Sequence, residues 1–176
     1  RSVITVANLF PKKNIEFVLK IAQELKECRF VVVGEGTHRE VLENIIQENK
    51  ITNVELVGFK TPEQVREYYQ KSDCYLLTSF AEGTPTSALE AMACGLPILS
   101  SNAGGLGNIV KEKENGFIID NFDKNKYIEK INFLKNNRNL IERIFKNNRC
   151  LSQNYKWINV AENITRNIEK VLNEKN

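Results

Sequence analysis

The amino-acid sequence predicts an α/β fold: a doubly wound parallel sheet of about six strands, with helices filling the C-terminal part of the chain. Three observations carry this expectation. Short β-branched apolar runs alternate with segments of helical periodicity between Ser2 and Asp120. The runs are continuously apolar, as strands covered on both faces must be. Helix start and stop signals fall between them, with Thr37, Thr61 and Pro85 opening helices and Gly95 closing one.

Taken in order, "SVITVA" is a first strand, and "IEFVLKIAQEL" repeats Ile15, Val18, Leu19, Ala22 and Leu25 at helical spacing. "RFVVVGEG" is a second strand ending in glycine, and "THREVLENIIQEN" is expected to open on a capping box of Thr37 with Glu40. "NVELVGF" is the third strand. In "TPEQVREYYQKS", Thr61 is a natural N-cap, Pro62 suits the first helical position and Gln64 completes the box. "DCYLLTS" is the fourth strand, "PTSALEAMACG" a helix, "LPILSS" the fifth strand and "GFIID" the sixth; helical patterns run from about Asp123 to the end. This order is Rossmann-like, with no internal repeat or low-complexity linker.

In such a sheet, ligands bind beyond the carboxyl ends of the strands, where strand order reverses. That selects the loops Asn8–Lys13, Gly34–Thr37, Gly58–Lys60, Ser79–Thr86 and Ser101–Gly105. The "GEG" at Gly34–Gly36 lacks the rest of a dinucleotide fingerprint and reads as a plain strand-to-helix turn.

Composition narrows the classes. A length of 176 residues fits one domain, and 41% hydrophobic with 27% charged residues excludes disorder. No apolar run approaches the roughly 18 residues of a membrane span. A net charge of +3 does not indicate a nucleic-acid protein. Residues 111–176, however, carry 14 Lys plus Arg against 9 Asp plus Glu, which leaves open a peripheral contact with an anionic membrane surface. Cys28, Cys74, Cys94 and Cys150 are scattered, so neither a zinc site nor a disulfide framework is indicated, and a cytoplasmic compartment is expected. The chain enters its first strand within two residues of Arg1, without an initiator Met or targeting segment, as expected of a piece of a longer protein.

The segment "SFAEGTPTSALEAMACG" concentrates the chemistry. The chain turns at Gly83, and Pro85 favours the first turn of a helix, leaving backbone N–H groups near Thr86 and Ser87 for a phosphate. Glu82 lies before that helix and Glu90 within it, so both can face one cleft. Carboxylates repel phosphate but accept paired hydrogen bonds from vicinal diols. A sugar-bearing nucleoside diphosphate is the ligand this suggests, with Lys13 reaching across from the first loop as a cation. Acidic residues near helix starts are also common for purely structural reasons.

Taken whole, "EGTPTSALEAMACGLPILSSNAGG" resembles the E-x7-E signature of retaining glycosyltransferases with two Rossmann domains, the group 1 or family 4 members of the GT-B fold. "VANLFPKKN" is similar to that family's GRLxxxKG loop, and "VVVGEGTHRE" and "VELVGFKTPEQVREYYQKSDCYLLTS" to its next strands and turns. "YKWINVAENITRNIEKVL" resembles its closing helix, about 157–174. The resemblance implies that residues 1–176 are the C-terminal, donor-binding domain, and that the N-terminal acceptor domain is absent from this chain. It implies transfer of a glycosyl group from a UDP, GDP or ADP sugar, with retention of anomeric configuration, to a glycan, lipid or small-molecule acceptor. The nucleotide sugar is a co-substrate, and no metal or other cofactor is expected.

By the same resemblance, Glu90 binds the ribose hydroxyls and Glu82 the transferred sugar or reacting centre. The segment Gly83, Thr84, Pro85, Thr86 and Ser87 holds the diphosphate, assisted by Lys13, while Phe59 and Lys60 border the base. Two positions depart from the family pattern: Asn8 stands where an arginine is usual beside the diphosphate, and Asn108 where an acidic residue follows the paired glycines. Asn8 keeps a second reading open, a nucleotide-sugar-binding module without catalysis; a GT-B sugar-nucleotide epimerase is a third. Among the remaining residues, His38 and Lys12 are expected at the surface, Cys94 as a small buried residue, and Tyr155 and Trp157 as packing anchors.

Overall fold

The computed structural model describes residues 1–83 and 85–155. The expected closing helix at 157–174, Trp157 and Thr84 lie outside the described residues. Six strands form one sheet: β1 (Ser2–Val6), β2 (Arg29–Val33), β3 (Val54–Gly58), β4 (Cys74–Leu77), β5 (Ile98–Ser101) and β6 (Gly116–Ile119). Their order is β3-β2-β1-β4-β5-β6, and every pairing is parallel. The doubly wound α/β architecture read from the sequence is the one observed.

Helices α1 (Ile15–Glu24), α2 (Arg39–Glu48), α3 (Pro62–Gln70) and α4 (Thr86–Ala93) connect the first five strands. A short α5 (Leu106–Ile109) precedes β6, and α6 (Lys124–Asn136) and α7 (Arg138–Leu151) follow it.

Successive strand residues point to opposite faces, and here each face carries its own core. Val3, Phe30, Val32, Cys74, Leu76 and Leu99 pack with α1, α2, α6 and α7. Ile4, Val31, Val33, Tyr75, Leu77 and Ile98 pack with α3, α4 and α5. This double burial explains the unbroken apolar runs. Helix α1 illustrates the energetics: Leu19 and Ile21 are fully buried, and each such burial stabilises by about 2 kcal/mol relative to exposure.

Two helix starts contrast. At α3 the capping box forms as read: Thr61 Oγ1 accepts from Gln64 N–H, and the Gln64 side chain accepts from Thr61 N–H at 3.0 Å. The expected box of Thr37 with Glu40 does not form, because α2 begins at Arg39 with His38 as its N-cap and without a side-chain cap. A preceding turn takes the local donors: His38 N–H bonds to the Leu9 carbonyl at 2.9 Å and Arg39 N–H to that of Gly36 at 3.1 Å.

Candidate functional site

The sheet reverses order at β1, whose neighbours are β2 on one side and β4 on the other. A cleft of about 330 Å³ opens beyond the carboxyl ends of these strands. It is lined by Asn8, Lys13, Phe59, Lys60, Glu82, Pro85, Thr86, Ser87 and Glu90. Nine residues singled out in the sequence therefore meet in one place, drawn from the loops after β1, β3 and β4 and from the start of α4. Gly83 does not line the cleft.

The first loop is fastened before it reaches the cleft. Leu9 is buried, and its N–H bonds to the Glu35 carbonyl at 2.9 Å. A turn of 3-10 helix follows at Pro11–Lys13, and Asn14 adopts a left-handed conformation at φ 52°, which asparagine tolerates better than most residues. Thr78 Oγ1 donates to the carbonyls of Lys13 at 3.3 Å and Asn14 at 3.0 Å, while Phe80 N–H bonds to the Lys12 carbonyl at 2.9 Å. These ties aim Lys13 at Glu82. Its Nζ lies 2.7 Å from Glu82 Oε1 and 2.9 Å from Oε2. Ser79 Oγ also donates to Glu82 Oε1. The pair is well enclosed, with side-chain exposures of 18% for Lys13 and 7% for Glu82.

On the other side of the cleft, α4 starts behind Pro85, whose carbonyl accepts from Ala88 N–H at 2.9 Å. The first turn of a helix places N–H groups without intrahelical acceptors at its start, where anions are favoured. Two buried tyrosines hold this turn from beneath. Tyr75 Oη and Ser87 Oγ are 2.6 Å apart, and Tyr69 Oη donates toward the Ser87 carbonyl at 3.0 Å and Glu90 Oε2 at 3.2 Å. Burial pushes the Tyr69 phenol far above its ordinary value, with the charge-bearing forms of Tyr75 and Glu90 adding to the shift. Tyr75 is pushed up by burial too, against the opposing pull of its bond with Ser87. Both phenols stay protonated and remain donors.

The sequence reading missed these supports. Ser79, Tyr69 and Tyr75 sit at core-facing positions, where the signal available was a hydroxyl that needs a partner once buried. The loop after β5, selected from the sequence as a ligand loop, takes a supporting place instead. It does not line the cleft but backs it: Ser101 Oγ donates to the Ser79 carbonyl at 2.7 Å. Gly104, at φ +58°, lies so close to the Glu82 backbone that a Cβ would stand 2.0 Å from the Glu82 carbonyl oxygen. The "GEG" glycines likewise serve packing. A Cβ on Gly34 would stand 2.0 Å from the Ala7 carbonyl oxygen, and one on Gly36 2.3 Å from that of Leu9.

The remaining residues fall away from the cleft. His38 Nε2 meets Glu16 Oε1 at 2.7 Å, tying the turn before α2 to α1; it is more enclosed than the surface position expected, with its side chain 17% exposed. Lys12 is exposed as expected; Asn108 is exposed too and does not line the cleft. Cys94, expected to be buried, is only partly so, because it is the C-cap of α4. It borders a second, mainly apolar cavity of about 430 Å³ between α3 and α4, which shares Val6, Phe59, Lys60, Val65 and Glu90 with the main cleft. Tyr155 is exposed at 39%. Among the described residues no cluster of His, Cys, Asp or Glu could hold a metal ion, and no helix is long and apolar enough to cross a membrane.

A doubly wound sheet with a polar cleft at its switch point, two carboxylates and a helix start within that cleft defines a Rossmann-like α/β domain. Residues 1–150 match the family described as Glycosyl transferases group 1, and the chain belongs to that family. An uncharacterized glycosyltransferase of Methanocaldococcus jannaschii is 28% identical over 169 residues, covering 96% of this chain and 47% of that protein. The spore coat protein SA of Bacillus subtilis is 36% identical over 121 residues, covering 67% of this chain and 32% of that protein. The crystal structure of Anabaena HepE in complex with UDP and glucose superposes with a TM-score of 0.85 at 19% identity, over 96% of this chain and 48% of that one. The chain thus spans about half the length, or less, of the proteins it matches.

Proposed function

We propose that residues 1–176 are the C-terminal, donor-binding domain of a retaining family 4 glycosyltransferase that uses a nucleoside-diphosphate sugar. The observation that carries this reading is that Glu82, Glu90 and the start of α4 share one cleft at the switch point. That arrangement offers a helix N-terminus to the diphosphate and separate carboxylates to two sets of hydroxyls. The UDP and glucose in the HepE complex support the ligand class.

In this reading Glu90 accepts hydrogen bonds from the ribose diol, Phe59 and Lys60 border the base, and the segment from Pro85 to Ser87 receives the diphosphate. Lys13 then changes partner. Glu82 holds its ammonium at 2.7 and 2.9 Å; an arriving diphosphate, carrying more negative charge, draws the ammonium toward itself. Glu82 is released to bind hydroxyls of the transferred sugar. As the bond from the anomeric carbon to the diphosphate breaks, negative charge grows on the leaving oxygen, and Lys13 with the α4 N-terminus stabilises it without a metal. The acceptor oxygen bonds to the anomeric carbon on the face from which the diphosphate departs and passes its proton to the leaving phosphate oxygen, which gives retention and leaves Glu82 as a sugar-positioning group. The acceptor, a glycan, lipid or small molecule, is presented by an N-terminal domain. The reaction belongs in the cytoplasm, with the basic bias of residues 111–176 suiting a peripheral contact at the inner membrane face.

Isothermal titration with UDP, GDP and ADP sugars tests this. Binding of at least one is expected; no binding to any at millimolar concentration removes the proposal.

A second reading has its own observation. Asn8 lines the cleft where the family resemblance places an arginine, and Lys13 is already paired with Glu82. A binding module that retains the nucleotide sugar without transferring it fits a cleft that carries an uncharged asparagine at that position. Assay of the full-length protein beside its Asn8→Arg variant separates the two: transfer by the unaltered protein excludes the module, and transfer by the variant alone establishes it.

A further inference from the structure

We propose that Tyr69 is a positioning residue that sets Glu90 for recognition of a ribose diol, making α3 part of the nucleotide site although its tyrosine ring lies in the core. The inference rests on the donor-nucleotide reading above and deepens it.

Tyr69 is 1% exposed, and its ring packs edge-on against Tyr75 at 6.1 Å between centroids. Its hydroxyl is the one part with polar work to do, and both of its partners can only accept: the Ser87 carbonyl at 3.0 Å and Glu90 Oε2 at 3.2 Å. One phenolic proton is thus divided between two oxygens, one in the first turn of α4 and the other a turn further along it. This fixes Glu90 relative to the helix start. The shared proton also leaves Glu90 with most of its accepting capacity, since a carboxylate has about four lone-pair sites.

Glu90 is otherwise an exposed side chain on a helix, free to rotate among several rotamers. Tying Oε2 to a rigid core residue removes that freedom before a ligand arrives, and preorganisation of this kind raises affinity for whatever the remaining oxygen binds. The second hydroxyl, on Tyr75, shares a hydrogen bond with Ser87 Oγ and so holds the same residue from its side chain. The two tyrosines hold the phosphate-facing turn and the diol-facing carboxylate as one unit.

The test uses the whole chain, the tightest binder among UDP, GDP and ADP, and that nucleotide's 2′,3′-dideoxy counterpart. The unaltered protein is expected to prefer the natural ribose by about tenfold, the scale of hydrogen bonds to a charged group. Tyr69→Phe keeps the ring that fills the core; thermal melting and circular dichroism confirm its fold. In this variant the preference is expected to fall to about twofold, mainly through weaker binding of the natural nucleotide. In a Glu90→Gln background, Tyr69→Phe is expected to add little further loss, because the two residues act through one contact. An undiminished preference in Tyr69→Phe overturns the inference. So does an equal loss for both ligands that adds fully to Glu90→Gln, which marks a merely structural role. If the unaltered protein binds the diphosphates without distinguishing the dideoxy form, the assignment of Glu90 to the ribose fails first and takes this inference with it.

Discussion

Lys13 Nζ lies within 3 Å of both carboxylate oxygens of Glu82, at 2.7 and 2.9 Å, although 69 residues separate them. The contact joins the loop after β1 to the loop after β4, the two strands at the reversal of sheet order. A pair this enclosed contributes little net stability, because desolvation offsets attraction, but removing one partner strands the other. Lys13→Met is therefore expected to lower stability by about 2 kcal/mol, and the double variant Lys13→Met, Glu82→Gln to recover most of that loss. Urea unfolding midpoints decide it; a double variant no more stable than Lys13→Met contradicts the pairing.

Glu90 and His38 provide an internal control for nucleotide binding. Both are polar residues at or near helix starts, yet Glu90 lines the cleft and His38 is bound to Glu16 away from it. Glu90→Ala is expected to weaken nucleotide binding by about tenfold or more, and His38→Ala to leave it within about twofold. Titration calorimetry on the two variants side by side checks this, and equal losses remove Glu90 from the site.

These two residues show what the sequence makes legible. The succession of strands and helices along the chain, and the edge of the sheet that carries the cleft, follow from local pattern: continuous apolar runs mark buried strands, and the cleft lies at the ends such strands share. Glu82 and Glu90 stand eight positions apart in one loop-helix segment, so their common cleft is also a local matter. The partner of Lys13 is not, since no spacing rule reaches across 69 residues. Thr37 misled because its helix start is pre-empted by a turn bonded to Leu9, a contact made in three dimensions only. Tyr69 has helical core spacing, and nothing in that spacing distinguishes a phenol serving a carboxylate from one that merely packs.

Two glycines beside Glu82, Gly83 in its loop and Gly104 packed against it, are expected to differ in their response to alanine. Gly104 combines φ +58° with a would-be Cβ 2.0 Å from the Glu82 carbonyl oxygen, and backbone cannot yield as a flexible side chain does. Gly104→Ala should cost about 2 kcal/mol and displace the loop that carries Glu82. A Cβ at Gly83 meets nothing within 4 Å, so Gly83→Ala should change stability by less than about 0.5 kcal/mol. Thermal melting of the two variants tests the contrast; similar midpoints are incompatible with the packing of the β5 loop against Glu82.

The buried phenols predict how the protein fails in alkali. Tyr69, Tyr75 and Tyr127 are all raised by burial above the ordinary value of 10.0. Where the folded pKa exceeds the unfolded one, the stabilising contribution is complete below the unfolded value. It is lost as pH rises toward the folded one, because the unfolded chain releases its protons first. Stability is thus expected to be insensitive to these groups below about pH 9 and to fall with increasing slope above about pH 10. Phenolate absorbance near 295 nm should appear for these three residues together with the loss of circular dichroism, not ahead of it. Tyr69→Phe removes one of the three ionisations, so its stability should fall less steeply above pH 10 than that of the unaltered chain. An identical slope would mean that the Tyr69 hydroxyl ionises as readily in the fold as out of it, contrary to its burial beneath α4.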